Sequence, residues 1–95
     1  MQVKYIIRTE DVEGKRAITQ AIVDSFLHSI KTTGYAITYG IGGWLGTTEA
    51  SATIEIIAWH EDLPAIRRLA LELKTQLKQE AVIVEWYDVN MEIVT

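Results

Sequence analysis

Two stretches of this chain carry a helical period, and each stands between runs that read as strands. After Lys15, Ile18, Ala21, Ile22, Phe26, Leu27 and Ile30 recur at steps of three and four; Ile66, Leu69, Ala70, Leu73 and Leu77 do the same further on. Each set forms one apolar stripe on an amphipathic helix. Residues 3–8 (VKYIIR), 35–39 (YAITY), 50–59 and 81–87 are rich in β-branched and aromatic side chains and read as strands. Gly34 is placed to stop the first helix, Asp62 to cap the second, and Pro64 to sit in its first turn. Met91–Val94, beyond an Asp88-Val89-Asn90 turn, reads as a short terminal strand. Two helices with one stripe each must cover one face of a common sheet. The order β-α-β-β-α-β therefore predicts an α+β, ferredoxin-like sandwich, a single domain over residues 1–95 with an antiparallel sheet and both helices on one side.

That arrangement leaves the other sheet face open, and the pattern does not make it polar. Val82, Val84 and Trp86 alternate with Ile83, Glu85 and Tyr87, and Ile57 and Trp59 lie on the opposite side of their strand from Ile54, Ile56 and Ala58. A sheet that is apolar on both faces is usually covered on both. The expectation is a homo-oligomer, most simply a ring packing sheet to sheet.

Composition closes several functional classes. With 95 residues, 48% hydrophobic and 23% charged, the chain has a globular balance, not that of a disordered segment. No cysteine is present, so there is no disulfide framework, thiolate nucleophile or cysteine-ligated metal, which suits a reducing cytoplasm. The net charge is −4 and the longest basic run is Arg67-Arg68, whereas a phosphate-backbone footprint needs clustered Lys and Arg; no nucleic-acid partner is expected. No apolar run approaches the ~20 residues of a membrane span, and the start (MQVKY) lacks the layout of a signal peptide. The reading is a soluble, cytoplasmic domain without a membrane partner.

The residues with chemical potential are few. Gly40-Ile41-Gly42-Gly43-Trp44-Leu45-Gly46 lacks the spacing of a dinucleotide fingerprint and stands between two strands, without the helix whose N-terminus would hold a phosphate. It is either a long turn with bulges or a mobile loop over a ligand. His28 and His60 stand on different elements without the convergent partners that a metal needs, so no metal site is expected. Glu49, where the glycine segment meets the next strand, could hold an ammonium group by charge-assisted hydrogen bonds. Tyr35, Tyr39, Trp44 and Trp86 could offer a π face to an adenine or a sulfonium. Gln79 and Glu80 precede the last long strand.

Two stretches carry a resemblance. Gly34-Tyr35 through Glu49-Ala50-Ser51 runs as a glycine-opened strand, a Gly/Trp-rich segment and an E-A-S element. Leu69-Ala70 through Gln79-Glu80-Ala81-Val82-Ile83-Val84 is followed by Ile93-Val94. Together, over about the last two-thirds of the chain, they resemble the small phage-encoded S-adenosylmethionine-degrading enzymes, long called hydrolases and better described as lyases. The second stretch is also similar to trimeric PII-like proteins, which share the ferredoxin-like fold and bind ligands between subunits; the long basic loop of PII signalling proteins is missing here.

The resemblance implies cleavage of S-adenosylmethionine to 5′-methylthioadenosine and homoserine lactone, without cofactor or metal, in a trimer with sites between subunits. It implies that Glu49 binds the substrate's α-ammonium and that Tyr39 contacts the sulfonium or carboxylate. Gly40, Ile41, Gly42 and Trp44 would line the pocket, and Gln79, Val82 and Val84 would face the adenosine from a neighbouring subunit. It also implies a phage origin and the cytoplasm of an infected bacterium as the setting. The alternative is a PII-like regulatory module that binds an adenine nucleotide or S-adenosylmethionine without turnover. An interaction protein that uses its apolar face and Trp44 is a third.

Overall fold

The strand-prone runs and the two stripes assemble around one layer. The structure is a computed structural model that describes residues 2–32, 34–44 and 46–95, with Trp44 described by its backbone. Its elements are β1 (Gln2–Glu10), α1 (Arg16–Leu27), β2 (Gly34–Trp44), β3 (Thr47–Trp59), a 3-10 turn at His60–Asp62, α2 (Leu63–Gln76) and β4 (Ile83–Asp88). The four strands form one antiparallel sheet in the order β2-β3-β1-β4. This is the ferredoxin-like arrangement, with its two central strands β1 and β3 the first and third in sequence.

Register explains which residues became core. Val3, Tyr5, Ile7 and Thr9 stand opposite Ala58, Ile56, Ile54 and Ala52, and directly opposed residues share a face. All eight are buried, and Val3, Tyr5, Ile7, Ile54, Ile56 and Ala58 pack with Val23, Ile66, Leu69, Leu73 and Leu77 of the helical layer. The α2 stripe is as expected: Ile66, Leu69, Ala70 and Leu73, with Leu77 just beyond the helix, are buried. Tyr5 is a large apolar body with one polar tip, and its hydroxyl donates to the Trp59 carbonyl at 2.7 Å, so its burial leaves no polar atom stranded.

Five expectations are corrected. First, the α1 stripe is only partly as expected: Ile22, Phe26 and Leu27 pack against the core, as does Ile30 beyond the helix, but the buried residues of α1 are Thr19 and Val23, whereas Ile18 is 38% exposed and Ala21 is exposed. A threonine can face inward because its hydroxyl donates to the Lys15 carbonyl one turn back, at 3.1 Å. Second, α1 ends at Leu27 and Gly34 opens β2. The Phe26 carbonyl accepts from both the backbone and the hydroxyl of Ser29. Thr32 then donates its hydroxyl to the Ile57 carbonyl at 2.6 Å and accepts from the Gly34 N–H, which delivers the chain to the edge of β3.

Third, the glycine segment is neither loop nor bulged turn. It pairs with β3 in unbroken register from Gly34↔Ile57 to Trp44↔Thr47; Gly46, just before β3, takes φ +79°, which a residue without a Cβ adopts freely. Fourth, residues 89–95 form no strand. The Val89 N–H donates to the Gln2 carbonyl and ends the ladder, and Met91, Ile93 and Val94 are 46%, 79% and 87% exposed. Asp62 also caps differently from expectation: its carboxylate accepts the Trp59 N–H at 2.9 Å and so closes the 3-10 turn that precedes α2.

Candidate functional site

The open face is built from the residues between the core positions. Lys4, Ile6 and Arg8 of β1 stand opposite Ile57, Glu55 and Thr53 of β3, and opposite Tyr87, Glu85 and Ile83 of β4. Its apolar members Ile6, Ile57, Trp59, Ile83 and Tyr87 are interleaved with two ion pairs, Lys4–Glu55 at 3.2 Å and Arg8–Glu85 at 2.7 Å. The face is therefore mixed, not the continuous apolar surface that alternation alone suggested. The Tyr87 hydroxyl and then the Arg8 guanidinium hold the Glu85 carboxyl below the usual carboxylate range, and the same carboxylate pushes the Tyr87 phenol up.

At one end of this face lies a cleft of about 390 Å³. One wall comes from the β2–β3 ribbon: Gly42 and Gly43, then Glu49 and Ser51. Arg8, Thr9 and Glu10 at the end of β1 form the floor, and Lys78–Ala81 with Ile83 form the opposite wall. Glu49 stands opposite Gly42 and Ser51 opposite Gly40 in the ribbon, so the carboxylate shares its face with backbone that carries no side chain. A Cβ on Gly42 would come within 3.2 Å of the Ser51 hydroxyl; the glycine here leaves room that another residue would fill.

The second wall is fixed by the end of α2. The Gln79 N–H donates to the Lys74 carbonyl and the Lys78 N–H to the Thr75 carbonyl, the paired bonds that close a helix through a left-handed residue. That residue is Lys78, at φ +52°. The Gln79 side chain then locks the wall to the floor: its Oε1 accepts the Glu10 N–H at 3.2 Å and its Nε2 donates to the Leu77 carbonyl at 3.0 Å.

Of the residues singled out in the sequence, Glu49, Gly42 and Gln79 meet at this cleft, and Gly40 lies beside it on the same face. Tyr39 does not: it stands opposite Ala52 on the helix-covered side, with the Arg16 guanidinium 4.0 Å above its ring. Arg16 also grips Asp11, its Nε donating to both carboxylate oxygens at 3.1 and 3.2 Å and its Nη2 to Oδ2 at 2.6 Å, and this pairing holds the Asp11 carboxyl below its ordinary range. Tyr35 is on that side too, donating to Asp24 of α1 at 2.9 Å. Ile41 follows Tyr39 on the helix side but is 82% exposed, Val84 stands opposite Ile7 and packs against the core, and Val82 does likewise. Trp86, opposite Tyr5, is on the helix side as well. The Trp44 side chain lies outside the described residues. Sequence reasoning did not select Arg8, Lys78, Glu80 or Ser51 as site residues; Glu80 and Ser51 were visible inside the two motif stretches, whereas nothing local marks Arg8 or Lys78.

The lining holds three carboxylates (Glu10, Glu49 and Glu80) against two cations, and one of those, Arg8, is already paired with Glu85. Such a cleft favours a ligand with net positive charge. Among the described residues its lining has no aromatic ring, and no group of three or more His, Asp or Glu side chains is placed to hold a metal ion. No helix among the described residues is long and apolar enough to cross a membrane.

Neither a protein-family model nor a curated protein sequence matches the chain. Solved structures do match it in fold. CutA1 from Oryza sativa superposes with a TM-score of 0.66 at 13% identity, over 97% of this chain and 83% of that one. A phage SAM lyase in complex with S-methyl-5′-thioadenosine gives 0.62 at 22% identity, over 92% and 81%. CPII from Thiomonas intermedia K12, a nitrogen regulatory PII-like protein bound to ADP, AMP and bicarbonate, gives 0.62 at 15% identity, over 99% and 96%. The chain has the ferredoxin-like fold shared by PII-like and CutA1 proteins. One of these similar structures is an enzyme and another a nucleotide-binding regulator, so the fold alone does not choose between them.

Proposed function

We propose that this protein is an S-adenosylmethionine lyase whose site is the Glu49 cleft. One observation carries the reading. The two stretches that resemble the lyase family are separated by seventeen residues, yet both line one cleft, with Glu49 and Ser51 on one side and Gln79 and Glu80 on the other. Charge supports it: S-adenosylmethionine carries a sulfonium and an ammonium against one carboxylate, which suits a cleft with excess carboxylates.

The chemistry needs little from the protein. The substrate's own carboxylate oxygen attacks the methionyl γ-carbon, the carbon–sulfur bond breaks, and its electron pair neutralises the sulfonium. Methylthioadenosine leaves and homoserine lactone closes, with no proton transfer. Glu49 would hold the α-ammonium, fixing the methionyl chain in the folded conformer from which attack occurs. Orientation of this kind can supply as much as ~7–11 kcal/mol of the barrier. The reaction joins opposite charges, so exclusion of water favours it further. A single chain leaves the cleft open and without an aromatic ring in its described lining; a second copy packed on the open face, in a trimeric ring, would close it and supply a surface for the adenine. The setting is the bacterial cytoplasm, where the substrate is made.

Glu49→Gln keeps the shape and removes the charge. We expect kcat/KM for S-adenosylmethionine to fall about 10- to 100-fold, the value of one charge-assisted hydrogen bond, with the oligomer intact by sedimentation. Unchanged turnover in that variant would remove Glu49 from the site. A second reading, a PII-like module that binds an adenine nucleotide without turnover, is favoured by the two cations Arg8 and Lys78 in the same lining, which suit phosphate. Tighter binding of ADP than of S-adenosylhomocysteine, with no product from S-adenosylmethionine, would establish it.

A further inference from the structure

Lys78 is the cleft residue whose side chain local folding does not explain. It occupies the left-handed position that ends α2, at φ +52°, and both closing bonds of that motif are made around it. Glycine takes this conformation at no cost, whereas a residue with a Cβ is strained there. Unlike Asn or Asp, a lysine has no short polar side chain to offset that strain by bonding its own backbone. A chain selected for stability alone would place glycine here, as it does at Gly14 and Gly46, its other two positive-φ positions among the described residues. Strain kept at a site wall points to a use for the side chain.

The position of Lys78 indicates that use. It stands on the wall opposite Glu49 and immediately before Gln79, whose side chain is tied at both ends and so fixes the backbone that presents the lysine. The other cation of the lining, Arg8, is engaged by Glu85 at 2.7 Å. The cleft thus sets a carboxylate on one wall and an ammonium on the other, a pattern complementary to an α-amino acid group.

We infer that Lys78 is a specificity residue that receives the α-carboxylate of the ligand while Glu49 receives its α-ammonium. The site would then select the aminoacyl end of an adenosyl compound over adenosyl compounds that lack one. The inference rests on the lyase reading and deepens it. In the reaction Lys78 forms and breaks no bond; it orients the attacking carboxylate, and the γ-carbon of the substrate is presented to it by Glu49.

The test compares two ligands that differ at that end. S-adenosylhomocysteine carries the amino-acid group but no sulfonium; methylthioadenosine has no amino-acid group. In Lys78→Gly we expect affinity for S-adenosylhomocysteine, measured by calorimetry, to fall about tenfold, with affinity for methylthioadenosine within twofold of wild type and the melting temperature raised. Lys78→Gln, which keeps the strain and removes the charge, should show the same ligand split without the rise in melting temperature. Equal changes for both ligands, or none for either, would overturn the role. Wild-type protein that binds S-adenosylhomocysteine with this split but leaves S-adenosylmethionine intact would overturn the lyase reading alone.

Discussion

The two faces of the sheet are built on different principles. On the helix-covered face Val3, Ile7, Ile54 and Ile56 are fully buried, and the hydroxyls of Tyr5 there and of Thr19 on α1 each donate to a carbonyl. On the open face apolar residues alternate with paired charges, Lys4–Glu55 and Arg8–Glu85, and the candidate site lies at its end. The first face is organised by exclusion of water, the second by side-chain pairs that tolerate it. Stability should therefore reside on one side and assembly and ligand recognition on the other.

The largest expected effect falls on the covered face. Ile54→Ala removes fully buried methyl groups from a central strand and should cost about 2–5 kcal/mol in urea unfolding. A loss below about 1 kcal/mol would mean that this side is not the core. Ile57, three residues along and facing the other way, supplies the contrast. Ile57→Asp should leave the far-ultraviolet spectrum of the folded chain intact while reducing the sedimenting mass to that of a single chain. An unaltered mass would show that the open face does not mediate assembly.

Thr9 is where the covered face breaks its own rule. It is 6% exposed and its hydroxyl has no hydrogen-bond partner among the described residues. Thr9→Val keeps the shape and removes the stranded oxygen, so it should be neutral or stabilising, by up to about 1 kcal/mol. Destabilisation of that size would reveal a partner for the hydroxyl.

The smallest effect belongs to the open face. The Glu85 carboxyl is held low by Tyr87 and then Arg8, so its native pKa lies below its unfolded value, near 4.3. A depressed carboxylate contributes fully above the unfolded value, and the contribution is lost as pH falls through that value towards the native one. The difference in urea midpoint between wild type and Glu85→Gln should therefore be present at pH 7 and shrink below about pH 4.3. Since the group is solvent-exposed, the difference at pH 7 should be small; one that grew on acidification would contradict the pairing.

The same contrast explains what the sequence made legible. Where water exclusion governs, the pattern was plain: β1, β3, β4 and the α2 stripe were visible from period alone. It failed at Thr19, because an inward threonine satisfied by a carbonyl one turn back looks polar in sequence. The glycine segment was misread for a different reason. Glycines carry no side chain to display a period of two, and their pairing is decided by β3, whose alternation lies elsewhere in the chain. Tyr39 was assigned to the pocket because it adjoins that segment, but strand alternation turns it to the other face, under Arg16. Glu49 and Gln79, which line the cleft, were singled out through the resemblance. Lys78 was not, since its meaning lies in a backbone angle at the end of α2 and in the carboxylate it faces across the cleft.

The most direct measurement is to incubate the purified protein with S-adenosylmethionine and identify the products by mass spectrometry. The account predicts methylthioadenosine together with homoserine lactone, with no oxygen from labelled water in the newly formed lactone. Intact substrate after prolonged incubation with folded protein, or homoserine formed directly with labelled oxygen, would contradict it.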